Sequence, residues 1–294
     1  MADGLVRAVG ADGTVRALAA VTTDLVDEAR RRHGTAPTAT AALGRALTGA
    51  LLLGATIKRD ERLGLEISAD GPLRGLLADA TPAGDVRGFV YEPRAHPPPR
   101  GGKLDVGGAV GRGTLCVTRV PLAGGSLYRS VVPLVSGEIA EDLASYLVGS
   151  EQVPSALALG VFVEPDGRVG GAGGYLLQTL PGATLAMGEL LVRAVARAPQ
   201  ASELVRSGLE PAAMLSLLLA AVPHAVIGEQ DVRFRCRCSP ARVARAVVAM
   251  GRAEIQDILA KERRVDAQCE FCAARYHLDE RSLRDLLAEL TNGS

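Results

Sequence analysis

Four of the five cysteines fall in the last quarter of the 294-residue chain, as Cys236-Arg237-Cys238 and, thirty residues on, Cys269-Glu270-Phe271-Cys272. Two close thiol pairs supply four soft ligands, the number and type that tetrahedral zinc takes, with Zn–S bonds of about 2.3 Å. The gap between the pairs is longer than in the common zinc ribbon, so the match to a generic pattern is partial. Two disulfides, a redox-active thiol pair or four buried free cysteines are the other readings. A permanent disulfide framework needs an oxidising compartment, and buried free cysteines seldom come as two tight pairs. The spacing therefore points to a zinc tetrathiolate on Cys236, Cys238, Cys269 and Cys272, one ion per chain. His277 lies five residues beyond Cys272, but four thiolates already fill a structural site. Cys116, between Leu115 and Val117 on a strand-like run, reads as a core thiol.

Other chemistry finds no support in the pattern. The stretch Gly170-Gly171-Ala172-Gly173-Gly174 lies inside a strand pattern, whereas a phosphate cradle needs glycines opening a helix N-terminus. Gly107-Gly108 and Gly111 lack that setting too, and bulges or close strand packing account for all of them. Only four histidines occur, His33, His96, His224 and His277, and no Ser-His-Asp order emerges.

The chain is long enough for two domains. It is 48% hydrophobic and 22% charged, with formal net charge zero, no Trp and only 3% aromatics, so the core must be built of Ala, Leu and Val. Thirty of the 33 basic residues are Arg, which together with abundant Ala and Gly reflects base composition. A neutral chain has no global electrostatic reason to bind nucleic acid or an acidic membrane. The N-terminus carries no basic region followed by an apolar stretch, so no secretory leader is expected. Residues 36–57 are the one membrane-like segment, but Arg45 at the centre costs about 2.5–3.5 kcal/mol on insertion scales. A core helix starting near Pro37 is the better reading, and the expected location is the cytoplasm.

The elements divide the chain into three. Residues 1–180 read as a mixed α/β domain. It opens with a hairpin around Asp12-Gly13, then a helix over 24–32 with Thr22 or Thr23 as cap and Gly34 as stop, then the apolar helix. Strands follow at 63–68, 86–91, 114–120 and 127–135, a helix at 136–148, and a hairpin of 156–163 and 169–178 around Pro165-Asp166-Gly167. Residues 181–230 form a helical linker, punctuated by Pro199, Pro211 and Pro223 and so apolar that it must dock on something. Residues 231–294 form a small C-terminal zinc-binding domain, with a helix opening at Ser239-Pro240, an extended 265–268 leading into the second cysteine pair, and a closing helix at 280–290. The fold class is thus α+β. The flank Arg233, Arg235, Arg237 would either touch phosphate or lower the neighbouring thiol pKa values.

Phe234-Arg235-Cys236-Arg237-Cys238-Ser239 and Cys269-Glu270-Phe271-Cys272, with Tyr276 four residues on, resemble the thirty-three-kilodalton heat-shock chaperonin family. The segments Ala42-Leu43-Gly44-Arg45-Ala46-Leu47, Gly71-Pro72-Leu73, Val86-Arg87-Gly88-Phe89-Val90 and Ser150-Glu151-Gln152-Val153-Pro154-Ser155 carry the same likeness, as does Ala172-Gly173-Gly174 leading to Gln178 and Pro181. The resemblance implies a redox-regulated holdase with an N-terminal client-binding domain, a metastable linker and a zinc domain. It implies zinc on the four cysteines in the reduced, inactive form. It further implies that oxidation pairs Cys236 with Cys238 and Cys269 with Cys272, releases zinc, unfolds the C-terminal part and promotes a homodimer that holds unfolded clients.

Physical chemistry supports a switch of that kind. A module of about 60 residues buries little surface, and structural zinc supplies roughly 10–16 kcal/mol of apparent binding energy that becomes folding energy. Oxidising any ligand removes that contribution, and nothing is turned over, so no enzymatic activity is expected. Two other classes compete. A zinc-module nucleic-acid binder needs a continuous basic face, yet residues 231–294 hold 12 basic and 10 acidic residues. A thiol–disulfide oxidoreductase using Cys269 and Cys272 needs a thioredoxin-like setting that the pattern does not provide.

Overall fold

Strand-forming alternation starts at once: β1 (Gly4–Gly10) and β2 (Val15–Val21) pair as the hairpin predicted around Asp12-Gly13. The Thr14 N–H donates to Asp12 Oδ1 at 3.0 Å across the turn. Helix α1 (Thr23–His33) ends on Gly34 in the left-handed region, as expected, but neither threonine caps it. The Thr22 hydroxyl is shared with Thr48, and Thr23 Oγ1 accepts from the Ala172 N–H. Asp3 reaches across instead and accepts from the Asp24 and Leu25 N–H groups. The structure, a computed structural model, describes residues 2–292.

Helix α2 (Pro37–Gly54) is the membrane-like segment of the sequence, and every residue but Pro37 and Arg45 is buried. Proline at its first turn is pre-set for helical φ. Around it lie two sheets. The first has the order β10-β1-β2-β9-β8, and the second β11-β5-β4-β3-β6-β7. The second is built from β3 (Glu61–Ala69), β4 (Leu76–Ala80), β5 (Asp85–Val90), β6 (Gly113–Pro121) and β7 (Tyr128–Pro133), with the short α3 (Val106–Val110) before β6. Helix α4 (Ala140–Gly149) precedes β8 (Ser155–Val163) and β9 (Val169–Thr179). Gly44 and Gly49 let α2 sit this close, because a Cβ would fall 2.6 Å from Val26 Cγ1 and 2.5 Å from Leu143 Cδ1. Among the described residues no helix is long and apolar enough to cross a membrane.

Helices α5 (Leu185–Arg197), α6 (Ala201–Arg206) and α7 (Pro211–Leu218) cover the other face of the first sheet. Leu191, Leu204, Val205, Met214, Leu215 and Leu218 pack there against Val6, Ala8, Val15, Ala17 and Leu177. The run after Pro223, read as helical, is instead strand β10 (His224–Asp231), antiparallel to β1. Val226 and Ile227 are better placed in a sheet, where β-branched side chains are less crowded at χ1 than in a helix. The 181–230 segment is thus three helices and a strand within the first of two compact units, Met1–Arg235 and Cys236–Ser294.

The first unit ends where it does because of β11 (Arg233–Phe234), a two-residue strand parallel to β5 that the sequence reading missed. The Arg233 N–H donates to Gly84 O at 3.1 Å and the Arg235 N–H to Val86 O at 2.8 Å. Asp85, whose side chain is 8% exposed, accepts from Arg233 Nε at 2.8 Å and Arg235 Nη1 at 3.4 Å. Phe234 is buried, with the Arg32 guanidinium 5.2 Å from its ring centroid. Asp85→Ala is expected to lower the stability of this unit by about 1 kcal/mol, because two charged hydrogen bonds are lost while both guanidiniums, more than half exposed, turn to water. Amide exchange should accelerate first at Arg233 and Arg235.

Candidate metal centre

The second unit has a small core. Val247, Ile255 and Leu283 are its fully buried aliphatics, with Ile258, Leu259, Val265, Leu278, Leu286, Leu287 and Leu290 partly buried around them. They come from α8 (Pro240–Ala249), α9 (Arg252–Lys261), a hairpin of β12 (Val265–Gln268) and β13 (Arg275–Leu278), and α10 (Glu280–Asn292). Strand β13 was not foreseen; it exists because Tyr276 and Leu278 continue the alternation across a turn.

Each cysteine pair is held by local backbone chemistry. Cys236 and Cys238 lie on the extended lead into α8, whose cap Ser239 accepts from the Arg242 N–H at 3.3 Å, with Pro240 in the first turn as expected. Arg242 Nη1 also donates to Arg237 O at 3.1 Å, which ties that lead down. Cys269 and Cys272 occupy the tip of the β12–β13 hairpin. The Cys269 N–H donates to Ala274 O at 2.9 Å and the Ala273 N–H to Cys269 O at 2.7 Å, which curls the tip so that both thiols face one way.

The four sulfurs converge. One Sγ from each of Cys236, Cys238, Cys269 and Cys272 lies within 4.8 Å of all the others. Cys236 and Cys269 are 3.7 Å apart and Cys238 and Cys272 3.3 Å, and none of the four is in a disulfide. A tetrahedral ion with metal–sulfur bonds of about 2.3 Å sets its sulfurs about 3.8 Å apart, so these residues fit such a metal. His277 is turned away to Asp266, Nδ1 to Oδ1 2.8 Å. Cys116 is buried in β6, where Arg129 Nε donates to its sulfur at 3.2 Å, consistent with a core thiol.

Burial is the main reason the Cys269 and Cys272 thiols are pushed above the ordinary value; the neighbouring sulfurs add to it at Cys272, whereas at Cys269 the contact with Cys272 offsets part of it. The Arg233–Arg237 flank was expected to act the other way or to meet phosphate. Two of its members instead pair with Asp85 in the first unit. Reasoning from sequence also gave Tyr276 no role beyond family likeness. Its hydroxyl donates to Cys238 Sγ at 2.9 Å, a contact that pushes its own pKa up to about 12 and keeps the proton in place. The signal was available in the spacing, since Tyr276 lies across the hairpin from Ala267, within one turn of the second pair.

Fold and site define the class first: an α+β protein with a separate C-terminal module whose four thiols can hold a metal. The particular family follows from comparison with known proteins. The family model described as Hsp33 protein matches residues 3–279. A 33 kDa chaperonin of Symbiobacterium thermophilum is 50% identical over 278 residues, 94% of this chain and 94% of its own. Another, from a Geobacillus species, is 42% identical over 295 residues, 99% of this chain and 100% of its own. The crystal structure of the 33 kDa chaperonin (heat shock protein 33 homolog) from Thermotoga maritima matches with a TM-score of 0.91 at 34% identity, covering 99% of this chain and 100% of that one. The chain belongs to the Hsp33 family, and it is a chaperone.

Two outcomes are expected of the metal centre. Tyr276→Phe leaves all four ligands in place and should weaken metal binding by about 10–100-fold, as loss of a hydrogen bond to a ligand does; competition against a chromogenic chelator measures it. Thiols with raised pKa hold their protons at neutral pH and must lose them to bind a metal. Affinity should therefore fall steeply as pH falls, with protons released on metal uptake, which calorimetry in buffers of different ionisation enthalpy reads directly.

Proposed function

We propose that this chain is a redox-regulated holdase whose reduced, inactive form holds one zinc ion on Cys236, Cys238, Cys269 and Cys272. The observation that carries this reading is the convergence of four sulfurs on a unit with so small a core. Zinc, when bound, supplies a divalent charge that stabilises four thiolates and cross-links the hairpin tip to the lead into α8. The rest is the work of the chain's own cysteines. A thiolate attacks peroxide, the O–O bond breaks, and a sulfenic acid forms with loss of hydroxide, which takes up a proton to become water. A second thiolate attacks that sulfur, forming the disulfide and expelling the second oxygen as hydroxide. Each disulfide consumes one peroxide and removes two ligands.

With the ligands gone, a module held by three buried aliphatics loses its main tie and unfolds. The 181–230 segment then serves as the metastable linker. Its docked face, Leu191, Leu204, Val205, Met214 and Leu215, becomes available to unfolding client proteins, and Leu185 at 91% exposure shows that some apolar surface is already uncovered. The active form is a cytoplasmic homodimer that holds clients without turnover. Pairing within each motif, Cys236 with Cys238 and Cys269 with Cys272, belongs to the proposal. Separations of 3.7 Å between Cys236 and Cys269 and 3.3 Å between Cys238 and Cys272 run across the motifs, so cross-motif links are the competing outcome.

Reduced protein treated with peroxide under mild heat is expected to release one zinc per chain in step with suppression of light scattering by an aggregating client. Peptide mapping of the oxidised protein should return the two within-motif disulfides. Zinc release without any gain in suppression would sink the holdase switch. Links between Cys236 and Cys269, or Cys238 and Cys272, would overturn the pairing alone.

A further inference from the structure

A cleft of about 510 Å³ in the first unit is lined by Arg7, Ala55, Ile57, Arg59, Pro82, Ala83 and Gln230. We propose that it is an anion site that takes a phosphate-type dianion, as inorganic phosphate or as the phosphoryl group of a larger ligand. This inference does not rest on the holdase reading.

The lining is rich in donors and lacks a counter-charge. Two arginines line it and, among the described residues, no carboxylate does. Arg7 is half-buried on β1, and among the described residues it donates only to neutral acceptors, Gln230 Oε1 at 2.7 Å and Pro82 O at 3.5 Å. Its protonated form is disfavoured first by burial and then by the like charge of Arg59. Bringing two cations together in a partly desolvated cleft is unfavourable unless an anion joins them.

Gln230 fixes how Arg7 is held. A guanidinium only donates and so must face Oε1 of the amide, at 2.7 Å. The amide Nε2, buried and without a hydrogen-bond partner among the described residues, is closed over by the turn after β4, where a Cβ on Gly84, at φ +84°, would lie 3.1 Å from it; it is therefore not a donor to the cleft, and the arginines alone carry the recognition.

The two arginines come from different elements, Arg7 from β1 and Arg59 from the segment after α2. Two positive charges match a dianion better than a single carboxylate, which one guanidinium fork satisfies. The cleft is several times larger than one phosphate, so its open part has room for the remainder of a phosphorylated molecule.

The test uses the full-length, metal-loaded protein, with phosphorus NMR and calorimetry of inorganic phosphate at constant ionic strength set with chloride. Saturable binding is expected, weakened about tenfold or more by Arg59→Ala, whose exposed side chain makes loss of fold an unneeded concern. Arg7→Gln should act in the same direction. Arg94→Ala, an equal change of charge elsewhere on the surface, should leave binding unchanged. A nucleoside monophosphate that binds more tightly than phosphate, and equally loses affinity in Arg59→Ala, would assign the open part of the cleft to the rest of that ligand; equal affinities would assign a simple phosphate site. Absence of saturable binding, or binding that Arg59→Ala and Arg94→Ala weaken alike, overturns the proposal.

Discussion

Four thiols drawn within 4.8 Å of one another are an unstable arrangement by themselves. Burial holds the protons on Cys269 and Cys272, and protonated thiols make only weak hydrogen bonds. A divalent metal inverts that balance, because it replaces four protons by four short bonds. The second unit is built around this one constraint. Its hairpin tip and the lead into α8 come together at the sulfurs, while the aliphatic contacts of Val247, Ile255 and Leu283 lie among the helices. With a metal bound, a module of this construction would owe much of its stability to the four sulfurs and little to its core.

The first unit is stabilised in the opposite way. Helix α2 is buried along almost its whole length between two sheets, and its contacts are so close that Gly44 and Gly49 have no room for a methyl group. Apolar packing of this density does not respond to redox chemistry. Helices α5–α7 occupy an intermediate position. They bury one face on the first sheet, yet Leu185 and Val192 remain exposed and the helices are short. Segments with few buried contacts per residue open at lower free energy than a central helix does.

Much of this was legible before any coordinates. The Asp12-Gly13 hairpin, the helix from Pro37 and the cap Ser239-Pro240 are local signals, in which turn chemistry and φ preferences act over three or four residues. The strands β4 and β11, by contrast, were missed. Leu76–Ala80 and Arg233–Phe234 are too short to show a period, and each exists because a neighbouring strand offers it hydrogen bonds. The 224–231 run was misread for a related reason: a long apolar context suggested helix, whereas the open edge of β1 made a strand. Asp3 displacing two threonines as the cap of α1 is likewise a contact between distant parts of the chain.

The sequence by itself determined the candidate ligand set, since four soft donors in two close pairs restrict the chemistry whatever the fold, and it determined the α+β class through the periods of its apolar residues. Tertiary structure alone decided what surrounds those residues. It directed Arg233 and Arg235 to Asp85, brought Tyr276 to Cys238 and turned His277 toward Asp266. It also gathered Arg7, Arg59 and Gln230 into one cleft. The reason is physical: ligand type and periodicity are properties of the local chain, whereas burial, charge pairing and hydrogen-bond geometry depend on segments that only folding brings within a few ångströms.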